Sequence, residues 1–416
     1  MLLPYLKILK KRNFFLLWIG QIISQFGDRL TQMALIGLVY KLEPSSPFGL
    51  AKVFSLAIIP VFLLSPVAGV YIDRWNKKKT MYISDSLRGF FIFLIPIFLF
   101  KFHLTGMVYV FIFLSFCAGR FFIPAKMSII PYLVNKEDFF LANSLVSLTA
   151  MIAAVLGFGL GGIIVEKWGL LSVFFIDALT FIISAIFIFS MRTKEEAQFK
   201  ARDFLDLGKD AFIKVKNSFL FEIKDGLKYI LRSQDTLYAA KILFLLFASL
   251  GSIYTLFIVF IQNTLSTVTI DLGKLAVGAG LGLFSGSLLY GRFAQKLPLK
   301  KTIIFSFIFA NLYLLFFVIL LKFYPSKIFA FFSCLFLGMI ISPIAIAINT
   351  LIHKESKDNF WGRIFSSFEF IVHLAFIIFM FLSSYLAEKF SPFTIIVSIC
   401  IISVFFALFS LRERRI

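Results

Sequence analysis

Apolar runs of about twenty residues, the length a helix needs to cross a bilayer, recur from one end of the chain to the other. Their centres fall near Ile22, Ile59, Leu94, Phe113, Ala153, Phe181, Phe247, Leu281, Leu312, Phe336, Ile377 and Phe405. Polar residues gather in short clusters between them. Hydrocarbon offers no water to a backbone, so each run must satisfy its own N–H and C=O groups, which makes it a helix. The pattern predicts an all-α integral membrane protein with about twelve transmembrane helices.

One connection breaks the rhythm. Residues 192–235 mix both charge signs with Phe199, Leu205, Phe212, Val215 and Phe219, a pattern that predicts amphipathic helices on the membrane surface. It divides the chain into an N-terminal six-helix bundle over 1–191, a cytoplasmic linker over 192–235 and a C-terminal six-helix bundle over 236–416. The halves echo one another. Gly69, Asp73, Arg74, Lys78, Lys79 and Thr80 align without gaps on Gly291, Gln295, Lys296, Lys300, Lys301 and Thr302, and Gly119 and Pro124 fall against Gly338 and Pro343. Two matches in the same order indicate a parallel repeat, giving two pseudo-symmetric bundles. The second copy lacks the acid, with Gln295 in place of Asp73.

Composition narrows the class. Of 416 residues 60% are hydrophobic and only 15% charged, more apolar sequence than a soluble core uses. A net charge of +20 would suit nucleic acid in a soluble protein, but here its placement sets that partner aside. Lys7, Lys10, Lys11 and Arg12 precede the first span, Lys77 to Lys79 follow the second, Lys300 and Lys301 follow the eighth, and Arg412, Arg414 and Arg415 follow the last. With alternating spans these lie on one side, so both termini are expected in the cytoplasm of a multi-pass inner-membrane protein. The opposite connections are short and carry fewer basic residues, such as Lys41, Lys167 and Lys389. The first apolar run has no small-residue cleavage site after it, so no signal peptide is expected. Cys117, Cys334 and Cys400 all sit inside spans and read as packing residues. No Walker loop, zinc-ligand spacing or nucleophile elbow occurs, so neither an enzyme nor a cofactor or metal site is expected.

The candidate chemistry lies in polar residues at membrane depth, where an ionisable group costs roughly 2.5–3.5 kcal/mol to insert. Gln21, Gln25, Asp28 and Gln32 recur at helical spacing in the first span and, with Arg29, make one wet stripe. The stripe either lines a cavity, with Asp28 exchanging protons, or is neutralised structurally by neighbouring helices. In the eleventh span Glu369 and His373 stand four apart on one face. They can either exchange a proton near neutrality or tie their helix to a neighbour. Asp85, Arg88 and Arg120 lie within about two turns of the cytoplasmic boundary and, with Asp73, Arg74 and Lys78, are expected to form a latch between conformations. Gly157 and Gly161 in the fifth span permit close helix crossing. Asp177 reads as a helix-packing acid.

The segment Gly69 to Lys79, with Asp73-Arg74 and the following lysines, resembles the loop signature of the major facilitator superfamily. Further stretches are similar to its drug:proton antiporter branch, which includes macrolide-efflux and enterobactin-exporter proteins. They are Asn13 to Gln21 with Gln25 to Asp28, Pro124-Ala125-Lys126 with Ile130-Pro131, Leu141 to Leu145, Phe221 to Tyr229, and Gly362-Arg363. The resemblance implies alternating access, in which two bundles rock around a midplane site. It implies a proton-coupled exporter of a small hydrophobic or amphipathic compound, monomeric, with protons and the bilayer as its other partners. It also implies that Asp73 contacts the start of the eleventh helix near Arg363 when the carrier opens outward. Phe158 stands where that branch has proline. Lysophospholipid transporters of the superfamily share the Pro-Ala-Lys of the fourth span, so a lysophospholipid flippase is an alternative. A non-transporting membrane sensor or scaffold is another.

The topology has a direct test. A cysteine placed at Ser45 should react with an impermeant thiol reagent only from outside the cell, and one at Ser233 only from inside. The reverse pattern at either position overturns it.

Overall fold

The computed structural model describes residues 3–193, 224, 227–228, 230–231, 234–293, 297–355 and 361–413; the side chains at 3–4, 65–67, 69–74, 136, 234–235, 349, 351–355, 361–366 and 410–413 fall outside it. The described residues are helical and contain no strand. A short helix α1 (Leu3–Leu9) precedes α2 (Arg12–Leu42), α3 (Pro47–Arg74), α4 (Lys77–Pro96), α5 (Thr105–Leu133) and α6 (Phe139–Phe189). After the linker come α7 (Gln234–Leu265), α8 (Ile270–Phe293), α9 (Leu299–Phe323), α10 (Lys327–Glu355), α11 (Trp361–Phe390) and α12 (Pro392–Glu413). Every predicted span centre falls inside one of these helices.

Local sequence sets where helices start. Ser46 precedes Pro47, and its hydroxyl accepts from the Gly49 N–H at 2.9 Å. Ser391 precedes Pro392 and accepts from the Thr394 N–H at 3.4 Å. Asn76 Oδ1 accepts from the Lys79 N–H at 2.8 Å. Each cap meets an orphan donor of the first turn, and proline at the first helical position has no N–H to leave unmet.

Among the described residues, ten helices are long and apolar enough to cross a membrane. The twelve spans are recovered because α6 is two helices and because the polar stripe of α2 hides that span from a hydropathy threshold. As a straight rod the 51 residues of α6 would reach about 77 Å, over twice the roughly 30 Å of hydrocarbon. Gly169 interrupts it with φ 81° and ψ 168°, a conformation that suits a residue without Cβ. The limbs before and after Gly169 run in opposite directions along α2. In the first limb Thr149 accepts from Trp18 Nε1, Gly157 meets Arg29 and Gly161 meets Met33. In the second, Thr180 lies at Gly27, Ser184 at Gly20 and Arg192 at Asn13.

The chain forms two compact units, Met1–Leu38 with Val53–Phe219, and Val39–Lys52 with Leu220–Ile416. The excursion Val39–Lys52 is tied within the second unit by Ser45 donating to Asn263 at 2.6 Å and Ser46 to Glu388 at 2.8 Å. In the first unit Phe14, Leu17, Met81, Phe122 and Ile188 belong to one core, flanked by a Lys11–Asp138 ion pair at 2.7 Å. The Lys11 hydrogen bond holds Asp138 below the usual carboxylate range. In the second unit Ile303, Phe307, Ala347 and Phe368 do the same. The halves repeat their pairings. As α2 packs on both limbs of α6, so α7 packs on α11, through Gly251 against Phe376, and on α12, through Ser249 and Ser403.

The tightest seam joins α8 to α10. Gly278, Gly282 and Gly286, four apart, face Phe331, Leu335 and Met339. A Cβ on Gly282 would strike the Leu335 carbonyl oxygen, while one on Gly291 would meet nothing within 4 Å. Backbones this close gain dispersion contacts that larger residues forbid. Gly282→Val should therefore cost at least the ~1–3 kcal/mol of an overpacked site, seen as a lower unfolding midpoint in detergent, and Gly291→Ala should leave the midpoint unchanged. Equal midpoints for the two variants overturn the seam.

Candidate functional site

The polar stripe of α2 enters a buried network in the first unit. Asp28, near the middle of α2, receives a 2.5 Å contact from Arg88 Nη2 of α4. Arg88 Nη1 also lies 3.9 Å from Asp85 Oδ1, one turn earlier on the same helix. Asp85 is fully buried and accepts from Ser184 of α6 at 2.6 Å through its other oxygen. The guanidinium lies 4.0 Å from the centroid of Phe181, a favourable cation–π placement in a dry site. Gly119 of α5 leaves the room: a Cβ there would come 3.3 Å from Arg88 Nε. Neither Arg88 Nε nor Asp85 Oδ1 makes a hydrogen bond among the described residues. One guanidinium therefore stands between two carboxylates, closed on one and short of the other.

A third acid sits alongside. Asp177, 1% exposed, accepts from Thr31 at 2.5 Å and from Thr180 at 3.1 Å. A Cβ on Gly27 would run into its Oδ1, so the missing side chain lets this carboxylate reach α2 beside Asp28. On the other flank of the stripe, Gln21 Oε1 accepts from Gln25 and from Lys126 of α5, both at 3.1 Å. Arg29 donates to Gln32 at 3.0 Å and lies 5.4 Å from the Phe158 ring centroid. Its stem fills the notch at Gly157.

The structure thus brings together some of the predicted residues. Asp85 and Arg88 stand eight and eleven residues beyond Lys77, about 12 and 16 Å along α4, and close on Asp28. Arg120 is half-buried on α5, next to Gly119. Lys78 donates to the Met191 carbonyl at 2.6 Å, near the Phe189 ring. Glu369 and His373 lie in the second unit, His373 Nδ1 being 3.5 Å from Glu369 Oε2, with side chains 47% and 31% exposed. The side chains of Gly69, Asp73, Arg74 and Arg363, and residues Gln295 and Lys296, lie outside the described residues. Sequence reasoning missed Thr31, Thr180, Phe181 and Ser184 as partners. The signal was present: Asp177, Thr180, Phe181 and Ser184 share one face of an apolar helix at spacings of three, four and seven.

Residues 17–372 match the family model of the Major Facilitator Superfamily. The chain is 26% identical over 368 residues to an MFS-type transporter of Bacillus subtilis, YkuC, covering 86% of this chain and 81% of that one. It is 23% identical over 382 residues to macrolide efflux protein A of Streptococcus pyogenes, covering 91% and 90%. Among solved structures, a bacterial homologue of the iron transporter ferroportin in an inward-facing state superposes with a TM-score of 0.75 at 15% identity, covering 97% and 98%.

Removing one member of the central pair should be worse than removing both. Arg88→Gln leaves Asp28 and Asp85 without their guanidinium, at a cost of up to about 3–5 kcal/mol. Asp28→Asn combined with Arg88→Gln should recover part of that in thermal unfolding. A double mutant as unstable as the sum of the singles would show that the pair is not coupled.

Proposed function

The chain belongs to the Major Facilitator Superfamily and is a multi-pass membrane transporter, not an enzyme; on that premise we propose that it is a proton-coupled exporter of a small hydrophobic or amphipathic compound, working by alternating access. The observation that carries the reading is Arg88 set between Asp28 at 2.5 Å and Asp85 at 3.9 Å. Arginine keeps its proton inside proteins, so any proton taken up here must go to a carboxyl group. A proton on Asp28 cancels the charge that ties α2 to α4. Arg88 can then turn to Asp85, whose Oδ1 has no other hydrogen bond among the described residues. Loss of the proton restores the first pairing. The proton thus selects which helices are tied, and a ligand or proton shifts a conformational balance only through such a difference between states.

Export is favoured by the relative named macrolide efflux protein A, which aligns over most of both chains. The Glu369–His373 pair is a second candidate proton carrier. The latch at Gly69, Asp73, Arg74 and Arg363 is kept on its sequence signature, and the basic clusters support an inner membrane with both termini in the cytoplasm.

Proteoliposomes with an imposed pH gradient test the coupling. Asp28→Asn should lose uphill, gradient-driven transport at least about tenfold, the scale of one lost charge interaction of ~1.4 kcal/mol, while keeping downhill exchange. Asp73→Asn should slow both modes. If Asp28→Asn, Glu369→Gln and His373→Gln all keep full proton-driven transport, the coupling proposal fails.

A further inference from the structure

The second unit carries a groove of about 960 Å³ that the transport reading does not use. Its floor is α7 from Leu237 to Ser252, with Leu227, Ile230 and Leu231 before it, and its walls are α11 and α12. The volume is in the range of small-molecule sites, about 300–1,000 Å³, but the lining is almost wholly aliphatic and aromatic. Three of its serine hydroxyls are already engaged: Ser403 donates to Ser249 at 3.2 Å and Ser383 to the Ser252 carbonyl at 2.9 Å. The walls are open at Leu382, Ile402 and Phe406, each half exposed. In a membrane-spanning bundle such a face meets lipid.

The charge on this groove is one-sided. Lys241 lines it and is exposed. Lys300 lies 5.4 Å from the ring centroid of Tyr238, which lines the same end. Lys228, two residues before Ile230, is also exposed. Among the described lining residues there is no carboxylate. Lengths agree with one leaflet. From Lys241 to Ser252 is eleven residues of α7, about 16 Å, close to half of the roughly 30 Å of hydrocarbon. An ammonium group at one end of a leaflet-deep apolar trough matches an amphiphile with an anionic head and a long chain. A lipophilic cation is opposed by the same lysines.

We propose that this groove binds one anionic glycerophospholipid of the cytoplasmic leaflet, its phosphate between Lys241 and Lys300 and an acyl chain along α7 between α11 and α12. The site is separate from the Asp28–Arg88 network, and it stands whether or not that network couples protons.

The test uses the full chain in a neutral detergent, titrated with phosphatidylglycerol, phosphatidylcholine or inorganic phosphate while the unfolding midpoint is read. Phosphatidylglycerol should raise the midpoint saturably, and the other two should have little effect. Lys241→Gln and Lys300→Gln should each weaken the apparent affinity about fivefold, the scale of one lysine at an anionic lipid surface. Ile402→Trp, at a half-exposed position on the open edge, should abolish saturation while leaving the lipid-free midpoint unchanged. Lys241→Arg should retain binding and guards against a variant that merely folds poorly. Equal stabilisation by phosphatidylcholine, an equal effect of inorganic phosphate, or an unaltered phosphatidylglycerol curve in Ile402→Trp each overturns the proposal.

Discussion

A guanidinium that cannot shed its proton has to be neutralised where it stands, and that requirement organises the first unit. Arg88 draws Asp28 from α2 and faces Asp85 on its own helix. Ser184 on α6 satisfies the oxygen of Asp85 that Arg88 does not face. The ring of Phe181 and the bare backbone at Gly119 shape the remaining walls. Four helices are therefore positioned by one charge. Such a pair adds little net stability, because desolvation offsets most of the attraction. Its value lies in the alternatives it offers: the same cation has two anions within reach.

The second unit answers a different constraint. Its helices are joined through bare backbone, with Gly278, Gly282 and Gly286 of α8 against α10 and Gly251 of α7 against Phe376 of α11. Lipid tails are as apolar as leucine, so helices in a membrane gain little by hiding apolar side chains from one another. They gain by approaching closely. The matched pairings of α2 with α6 and of α7 with α11 and α12 show one plan built twice, with charge at the centre of one copy and close packing and serine contacts in the other.

Much of this was legible in the sequence. Hydropathy placed all twelve spans, because run length and the bilayer leave few other structures. The spacing of Gln21, Gln25 and Asp28 gave the polar stripe. The partners of that stripe were not legible. Arg88 is 60 residues from Asp28 and Thr31 is 146 from Asp177, and no local period encodes which helices cross. Counting from the lysines at 77–79 set Arg88 near Asp73 and Arg74, whereas depth along α4 set it beside α2. The excursion Val39–Lys52 escaped for the same reason: its hydrogen bonds go to Asn263 and Glu388.

The hairpin of α6 has a mechanical consequence. Its two limbs grip α2 from different sides, Gly157 and Gly161 receiving Arg29 and Met33 while Gly20 and Gly27 receive Ser184 and Asp177. These are notches filled by side chains, so α2 can neither slide along its axis nor spin about it without forcing a side chain out of its seat. It is splinted. A force applied to α2 therefore cannot move it alone, and passes to the three-helix body as a tilt.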